Sequence, residues 1–153
     1  MIRDLRSPPD GTGRKIGIAV ARFNEVVTER LLEGALRTLR ERGVSDEHIT
    51  VTRVPGALEL PLACQWLAKA GHDAVLALGA VVRGGTDHYE YVCQAATDGL
   101  LRVNLDTGVP VAFGVLTCAE MDQALDRAGG KAGNKGTDAA LAALEMVGLQ
   151  KLI

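Results

Sequence analysis

The sequence predicts an α/β domain in which helices cover both faces of a four-stranded parallel sheet. Two observations point to this fold class. Four short apolar runs are nearly continuous rather than alternating, as is typical of strands that are buried on both faces. Longer segments with helical periodicity lie between these runs, and right-handed crossovers between parallel strands place such helices on both sides of the sheet.

The four apolar runs are the candidate strands. The predicted strands are residues 15–20, 49–54, 74–82 and 109–117. Alternation of these strands with helices corresponds to a flavodoxin-like, three-layer α/β/α sandwich. A four-stranded sheet also leaves two exposed edges, and pairing with a neighbouring chain is a simple way to cover them.

Capping residues suggest where the helices begin and end. Asn24 is a candidate N-cap of the first helix, and Gly43 ends that helix. Thr117 is expected to open the fourth helix, where Glu120 completes a capping box. In the third helix, the predicted inward residues are Val92, Ala95, Ala96, Gly99 and Val103. The predicted helices are 24–43, 58–70, 86–105, a short one from 117, and 137–147.

Length and composition are those of one ordinary domain. The chain has 153 residues, of which 47% are hydrophobic. A chain of this length can bury roughly two thirds of its unfolded surface, so it can form a core without disulfides or a structural metal. Residues 1–13 contain a run rich in proline and glycine, which predicts a flexible N-terminal arm. We therefore expect a single domain over residues 14–153.

Charge, hydropathy and cysteine content exclude several classes of partner. The 17 Lys and Arg residues are interspersed with 19 Asp and Glu residues, which leaves no basic footprint for nucleic acid. The longest apolar run, 74–82, is too short to span a membrane, and the N-terminus lacks the apolar segment of a signal peptide. The three widely spaced cysteines indicate reduced thiols and provide no zinc-ligand pattern. We expect a cytoplasmic protein that binds neither membrane nor nucleic acid.

The carboxyl ends of the strands are the places to look for a site, because open parallel sheets bind ligands there. The third junction is the most informative. Gly84, Gly85 and Thr86 lie between a buried strand and a helix start, where free backbone N–H groups favour an anion such as phosphate. His88 falls in the first turn of that helix, on its inward face, and could shuttle protons. The alternative is a capping or core histidine. His48 and His72 are interpreted as solvated loop residues.

Other candidate residues have an ordinary structural interpretation beside a functional one. Phe23 could pack on the core, the default, or stack on a flat ligand. Glu59 could be a helix cap, and Arg127 could complement a helix dipole or clamp a phosphate. The glycine-rich run 129–137 is not a P-loop, because Asn134 occupies the required glycine position and a helix precedes the run. Cys118 has no histidine nearby in sequence, so a buried structural thiol is favoured over a nucleophile.

Four segments, in this order and at these spacings, closely resemble the 6,7-dimethyl-8-ribityllumazine synthase family. The segments are ARFN (21–24), VPGALE (54–59), LGAVVRGGTDHY (78–89) and RAGGKAGNKG (127–136). The resemblance covers about 15–147. It implies the condensation of 5-amino-6-(D-ribitylamino)uracil with 3,4-dihydroxy-2-butanone 4-phosphate, with release of phosphate and water, in riboflavin biosynthesis. It also implies that no metal and no organic cofactor is needed.

The resemblance assigns a role to each candidate residue. Phe23 matches the ring that stacks on the pyrimidine, and His88 matches the proton-transfer residue. Phe113 matches a position that reaches the ring from a neighbouring subunit. The residues expected to hold the ribityl chain are Ala57, Leu58 and Glu59; those at the uracil edge are Ala80, Val81 and Val82; those at the phosphate are Gly85, Thr86 and Arg127. Leu58 and the Gly84-Gly85 pair depart from residues that are frequent in relatives, but neither departure removes a reacting group.

The resemblance further implies a homo-oligomer built from pentamers. The short linker 129–136 is similar to that of members whose pentamers close into icosahedral shells, so we expect a shell, with riboflavin synthase as a further partner. Two other functions remain open from the sequence. One is a noncatalytic flavin- or lumazine-binding shell protein of the same fold, and the other is an unrelated phosphate-binding enzyme on a flavodoxin-like sheet.

Overall fold

A four-stranded parallel sheet forms the centre of the computed structural model, which describes residues 1–153. The strands are β1 (Ile16–Ala21), β2 (Ile49–Val54), β3 (Ala74–Val82) and β4 (Val111–Cys118), in the order β2-β1-β3-β4. All three pairings are parallel. Because β1 and β3 have neighbours on both sides, every residue of β1 and most of β3 are buried. The edge strand β2 is only partly buried, unlike the prediction for it.

Helices lie on both faces of this sheet, as predicted. They are α1 (Glu25–Glu41), α2 (Leu60–Lys69), α3 (His88–Thr107), α4 (Met121–Asp126) and α5 (Lys135–Leu152). One core cluster joins α1, α4 and α5 to one face of the sheet, and a second joins α2 and α3 to the other. The three-layer α/β/α prediction is therefore confirmed. None of the helices combines the length and the apolar character needed to cross a membrane.

Of the two predicted helix starts with a capping residue, one is correct in position and the other is wrong. Asn24 occupies the N-cap position of α1, as predicted, but it has a left-handed backbone (φ 63°, ψ 49°) and its side chain makes no capping hydrogen bond. Thr117 belongs to β4, and the N-cap of α4 is Glu120. There Gln123 reaches back, and its Oε1 accepts hydrogen bonds from the backbone N–H groups of Ala119 (3.0 Å) and Glu120 (3.2 Å). The capping box thus exists three residues later than the prediction.

The remaining helices differ from the predictions mainly at their ends. A 3₁₀ turn, Ala57–Glu59, precedes α2, and α5 is longer than predicted at both ends. In α3 the predicted inward face is correct but incomplete. Ala96 and Val103 are buried together with Leu100, whereas the other three predicted residues, Val92, Ala95 and Gly99, are half-buried.

A small antiparallel hairpin between α4 and α5 was not predicted. It consists of β5 (Ala128–Gly130) and β6 (Gly133–Asn134). Gly129 (φ 102°) and Gly133 (φ 84°) have the left-handed backbone that glycine adopts without a steric penalty. The glycine-rich run is therefore a hairpin that leads from α4 into the start of α5.

The N-terminal residues lie against the α1 and α5 side of the domain. The backbone N–H of Gly11 donates to the carbonyl of Arg42 at 2.8 Å, and Gly11 is buried. Farther along, Ser7 lies close to Gly148 of α5, and Arg3 reaches the carbonyl of Leu152 at 3.5 Å. From its N-terminus the arm therefore runs along α5 and reaches the end of α1 shortly before β1 begins.

Candidate active site

A cleft of about 520 Å³ opens at the carboxyl ends of β1, β2 and β3, beside the first turn of α3. This is the position at which sheets of this kind bind ligands. Its walls contain nine of the twelve predicted site residues. These nine are Phe23, Ala57, Leu58, Glu59, Ala80, Val81, Val82, Thr86 and His88; the other lining residues are Pro55, Gly56, Gly84, Tyr89 and Val92.

Phe23 presents its ring to the cleft rather than to the core. The residue is 72% exposed, so the default prediction of core packing is wrong. Its backbone is held in place: the N–H of Phe23 donates to the carbonyl of Pro55 at 3.0 Å, and that of Arg22 donates to the carbonyl of Val54 at 2.8 Å. An exposed ring on a fixed backbone is suited to stacking on a flat ligand.

The end of β1 is also tied to the end of β3. Asn24 is the one residue other than glycine with a positive φ, and its Nδ2 donates to the carbonyl of Ala80 at 2.8 Å. Asparagine tolerates this backbone region better than most residues. The contact fixes the spacing between Phe23 and the strand end 80–82, which form neighbouring parts of the cleft wall.

Glu59 acts as a local cap in the chain. Its Oε1 accepts a hydrogen bond of 2.8 Å from the backbone N–H of Gly56, which stabilises the 3₁₀ turn ahead of α2. The neighbouring Leu58 is 56% exposed. The turn thus holds one carboxylate and one apolar side chain at the wall of the cleft.

The glycine-rich end of the cleft is open. Gly84, Gly85, Thr86 and His88 are all exposed, and no atom lies within 4 Å of where a Cβ would stand on either glycine. The Thr86 hydroxyl accepts a 3.4 Å hydrogen bond from the backbone N–H of His88. Gly85 is next to the cleft but does not form its wall. This end leaves backbone N–H groups and an imidazole accessible to an anionic ligand.

The other two histidines lie away from the cleft. Both are half-buried and therefore less solvated than predicted. The His72 Nδ1 lies 2.8 Å from the carbonyl oxygen of Leu67, which ties the ring to the end of α2. His88 is therefore the histidine that the fold brings to the cleft.

Two predicted site residues lie in a second cavity, of about 430 Å³. Phe113 and Arg127 form part of its wall, and neither contacts the first cleft. The Arg127 Nη1 donates to the carbonyl of Gln123 at 3.0 Å, so the side chain folds back on the C-terminal end of α4. Within one chain, Arg127 therefore does not meet Gly85 and Thr86.

Lys135, which was not among the predicted site residues, also lines the second cavity. Its backbone N–H donates to the carbonyl of Arg127 at 2.8 Å, so the two cationic residues are linked through the hairpin. The sequence indicates that these two residues are neighbours only if the glycine-rich run between them is recognised as a hairpin. Two cations beside one cavity can bind a phosphate or another anion.

Tyr89 of the first cleft was missed as well. The Arg83 guanidinium lies 4.6 Å above the centre of its ring. Burial raises the pKa of the Tyr89 phenol, and the charge of Arg83 opposes that change only in part. The phenol is therefore a neutral polar group, and its polar partners are Cys93 and Thr117, which lie outside the wall of the cleft.

Cys118 is not arranged as a nucleophile. It is buried at the end of β4, and burial raises the pKa of its thiol although Arg127 acts in the opposite direction. A raised pKa lowers the thiolate fraction at neutral pH. All three cysteines are free, and no group of three or more His, Cys, Asp or Glu side chains is placed to hold a metal ion.

These features define an α/β protein of flavodoxin-like topology with a cleft of small-molecule size at its strand ends. Comparison with known proteins names the family. The sequence model of 6,7-dimethyl-8-ribityllumazine synthase matches residues 13–151. A protein of that name from Halorhodospira halophila is 54% identical over 138 residues, which are 90% of this chain and 88% of the relative. One from Desulfatibacillum aliphaticivorans is 49% identical over 150 residues, 97% of each chain. The chain belongs to the 6,7-dimethyl-8-ribityllumazine synthase family and is an enzyme of that family.

Proposed function

We propose that this chain condenses 5-amino-6-(D-ribitylamino)uracil with 3,4-dihydroxy-2-butanone 4-phosphate to give 6,7-dimethyl-8-ribityllumazine, a step of riboflavin biosynthesis. Family membership over nearly the whole chain supports this reaction. One structural observation supports the proposed location of the site: a single cleft contains an exposed aromatic ring, three strand-end residues and a histidine. Its volume of about 520 Å³ is suited to a small molecule.

The aminouracil binds in the cleft between β1 and β3. Phe23 stacks on the pyrimidine ring, and the backbone at Ala80, Val81 and Val82 contacts the uracil edge. The support is the exposed Phe23 ring and the strand end beside it. Residues 57–59 hold the ribityl chain, where the Glu59 carboxylate can accept hydrogen bonds from hydroxyl groups while it caps its turn.

The butanone phosphate binds at the first turn of α3. Gly85 and Thr86 provide a backbone N–H and a hydroxyl, and the positive end of the helix dipole favours the phosphate. Arg127 neutralises the phosphate charge. Since Arg127 lies in a different cavity of its own chain, it comes from a second copy, and Phe113 reaches the pyrimidine from that same copy.

A shared site requires a homo-oligomer. We infer pentamers, in line with the resemblance, and an icosahedral shell with riboflavin synthase as a partner, in the cytoplasm. Exposed apolar side chains on α2 and α3 support association, because contiguous apolar surface is typical of interfaces. They are Leu62, Trp66, Leu101 and Leu105.

His88 moves protons in the reaction. The 5-amino group of the uracil adds to the ketone and loses water to form an imine, and phosphate is then eliminated. The ribitylamino nitrogen attacks the remaining carbonyl, and loss of a second water closes the ring of the lumazine. An imidazole can both take and return a proton, as these steps require. Most of the acceleration comes from holding two reactive substrates together, which in ideal cases removes roughly 7–11 kcal/mol of the barrier. The reaction needs no metal or organic cofactor.

One assay tests the proposal. Purified protein is mixed with both substrates, and lumazine formation is compared with the spontaneous reaction. Acceleration is the expected result. Tight binding of the product without acceleration would instead favour a noncatalytic shell protein, and no binding of either substrate would favour an unrelated phosphate-binding enzyme.

A further inference from the structure

We propose that Asn134 is a positioning residue for the phosphate half of the site. It acts through Arg127 and Lys135, which it holds beside the second cavity, and it does not contact substrate. The inference rests on the proposed function, because it assumes that Arg127 binds the butanone phosphate. Its basis is a set of hydrogen bonds through which one side-chain amide joins three elements of the fold.

The Asn134 amide uses both of its ends. Its Oδ1 accepts hydrogen bonds from the backbone N–H groups of Gly136 (2.8 Å) and Thr137 (3.2 Å), which caps α5. Its Nδ2 donates to the carbonyl of Arg30 in α1 at 3.0 Å. The residue itself lies in β6 of the hairpin. One side chain thus ties the hairpin and the start of α5 to α1, across about a hundred residues of sequence.

The residues next to Asn134 carry the positive charges. Lys135 follows it directly, and the Lys135 N–H donates to the carbonyl of Arg127 at 2.8 Å. Across the hairpin, Asn134 pairs with Ala128, the neighbour of Arg127. A shift of Asn134 would therefore move both cationic residues together relative to α1 and the sheet.

The packing around the amide allows little alternative placement. A Cβ added to Gly34 of α1 would lie 2.5 Å from the Asn134 amide, and one added to Gly136 would overlap the carbonyl of Leu31. Helices α1 and α5 therefore approach closely at this point because two glycines permit it. The amide fills the contact, so its removal leaves both a space and an unpaired helix start.

Two variants separate the functions of the two amide ends. Asn134→Ala removes the cap and the bond to Arg30, whereas Asn134→Ser keeps a good N-cap residue that is too short to reach Arg30. Asn104→Ala is the matched control. Asn104 is also half-buried and also makes three hydrogen bonds, to the carbonyls of Leu100 (2.9 Å) and Val111 (3.0 Å) and from the Val111 N–H (2.7 Å). It belongs to α3 and contacts Val111 at the amino end of β4, away from the strand ends that form the cleft.

We expect the KM for the butanone phosphate to rise about tenfold in Asn134→Ala, since displacement of a binding group by about 1 Å can cost up to on the order of 100-fold. The KM for the aminouracil and the kcat at saturation should stay near wild type. Asn134→Ser should regain thermal stability but keep the raised KM. Asn104→Ala should lose thermal stability without a change in either KM. Binding of inorganic phosphate, measured by calorimetry, should weaken in the two Asn134 variants only.

Three results would overturn the proposal. They are an unchanged phosphate affinity in Asn134→Ala, an equal rise of both KM values, and recovery of the butanone phosphate KM in Asn134→Ser. A wild-type protein that does not accelerate the reaction refutes the proposed function instead. In that case the calorimetric comparison alone decides the role of Asn134, because phosphate binding does not depend on turnover.

Discussion

Among single residues, Phe23 is the clearest case of a large apolar ring that the fold leaves outside its core. Burial of a phenylalanine side chain contributes roughly 1.5–3 kcal/mol, yet this ring is 72% exposed. The backbone around it is nevertheless fixed by hydrogen bonds to the end of β2 and by the left-handed Asn24. An exposed aromatic ring on an ordered, conformationally unusual turn indicates a binding surface rather than a failure of packing.

His88 gives the first prediction. Replacement by alanine should lower kcat by about 100-fold at most, the lower end of the ~100 to 10,000-fold contribution of general acid–base catalysis, because positioning supplies most of the acceleration. Steady-state rates with both substrates measure this effect. His48→Ala is the matched control, since His48 lies outside the cleft. Equal rates for the His88 variant and wild type would remove the proton-transfer role.

Cys64 gives a prediction about pH. Burial in α2 raises the pKa of its thiol from 9.0 to about 12. Above pH 9.0 the unfolded chain releases this proton while the folded chain retains it, so the free energy of unfolding falls as pH rises toward 12. Below pH 9.0 both states hold the proton and the thiol has no effect on the pH dependence.

The measurement is denaturant unfolding of wild type and Cys64→Ala at several alkaline pH values. The wild-type free energy of unfolding should fall more steeply with pH, by up to about 1.4 kcal/mol per pH unit, because one additional proton is released on unfolding. The difference between the two proteins isolates Cys64 from other groups that titrate in this range. Parallel curves above pH 9.0 would mean that the thiol ionises as easily in the fold as in the unfolded chain.

Among the elements, the strands were the most predictable because hydrophobic runs report burial directly. The limits of β2 and β3 agree with the prediction, and β1 and β4 differ by one or two residues. Helix starts were less predictable, since side chains such as Asn24 and Thr117 have alternatives to capping that depend on distant parts of the fold. Asn24 donates to Ala80 on another strand, a contact that no local pattern contains.

The hairpin and the second cavity were the least predictable parts. The hairpin residues are glycines and small or polar side chains, so they have no hydrophobic periodicity. Nine predicted site residues lie at one cleft because strand ends converge in any parallel sheet. The separation of Arg127 from that cleft depends on the path of the hairpin, and the cationic neighbour Lys135 depends on it too.

The glycines of α5 give a prediction about helix packing. Gly136→Ala would place a Cβ against the Leu31 carbonyl of α1, a backbone atom that cannot move aside. We expect a loss of about 3 kcal/mol, the upper end for overpacking. Gly148→Ala, on the same helix, would meet Ser7 and the carbonyl of Pro8, both in the N-terminal arm. The arm can shift, and alanine improves helix propensity by up to about 1 kcal/mol, so stability should be unchanged or higher.

Thermal and denaturant unfolding of both glycine variants measures these changes. The comparison also tests the arm, which was predicted to be flexible. Equal losses in the two variants would mean that residues 1–13 are packed as firmly as α1 is. A small loss in Gly136→Ala would mean that α1 and α5 can separate at little cost, and it would weaken the packing argument for Asn134.

At the scale of the whole molecule, the chain carries two separate cavities, which we propose are the two halves of a shared site. The cleft holds the aromatic ring, the strand ends and His88, whereas the second cavity holds Phe113, Arg127 and Lys135. A cyclic assembly joins such surfaces head to tail, so that each interface brings the cleft of one copy against the second cavity of the next. On this proposal one chain is enough to form the hydrophobic core, whereas two chains are needed to complete one site.

Complementation between variants tests this arrangement. His88→Ala damages the cleft, and Arg127→Ala damages the second cavity and should mainly weaken the butanone phosphate. Each shared site combines the cleft of one chain with the second cavity of its neighbour. When equal amounts of the two variants assemble at random, about a quarter of the sites therefore combine an intact cleft with an intact second cavity. Activity of the mixture should therefore rise well above that of either variant, toward about a quarter of the wild-type rate.

The control is a mixture of Phe23→Ala with His88→Ala. Both changes fall in the same cleft, so every site in that mixture contains one damaged cleft and no activity should be regained. Mixing only after separate assembly provides a second control, because preformed oligomers do not exchange halves unless their subunits dissociate. Recovery in the first mixture alone would require that Arg127 and His88 meet across an interface. Activity no higher than in the Phe23 mixture would instead require that one chain form the whole site, with Arg127 reaching it by a rearrangement of the hairpin.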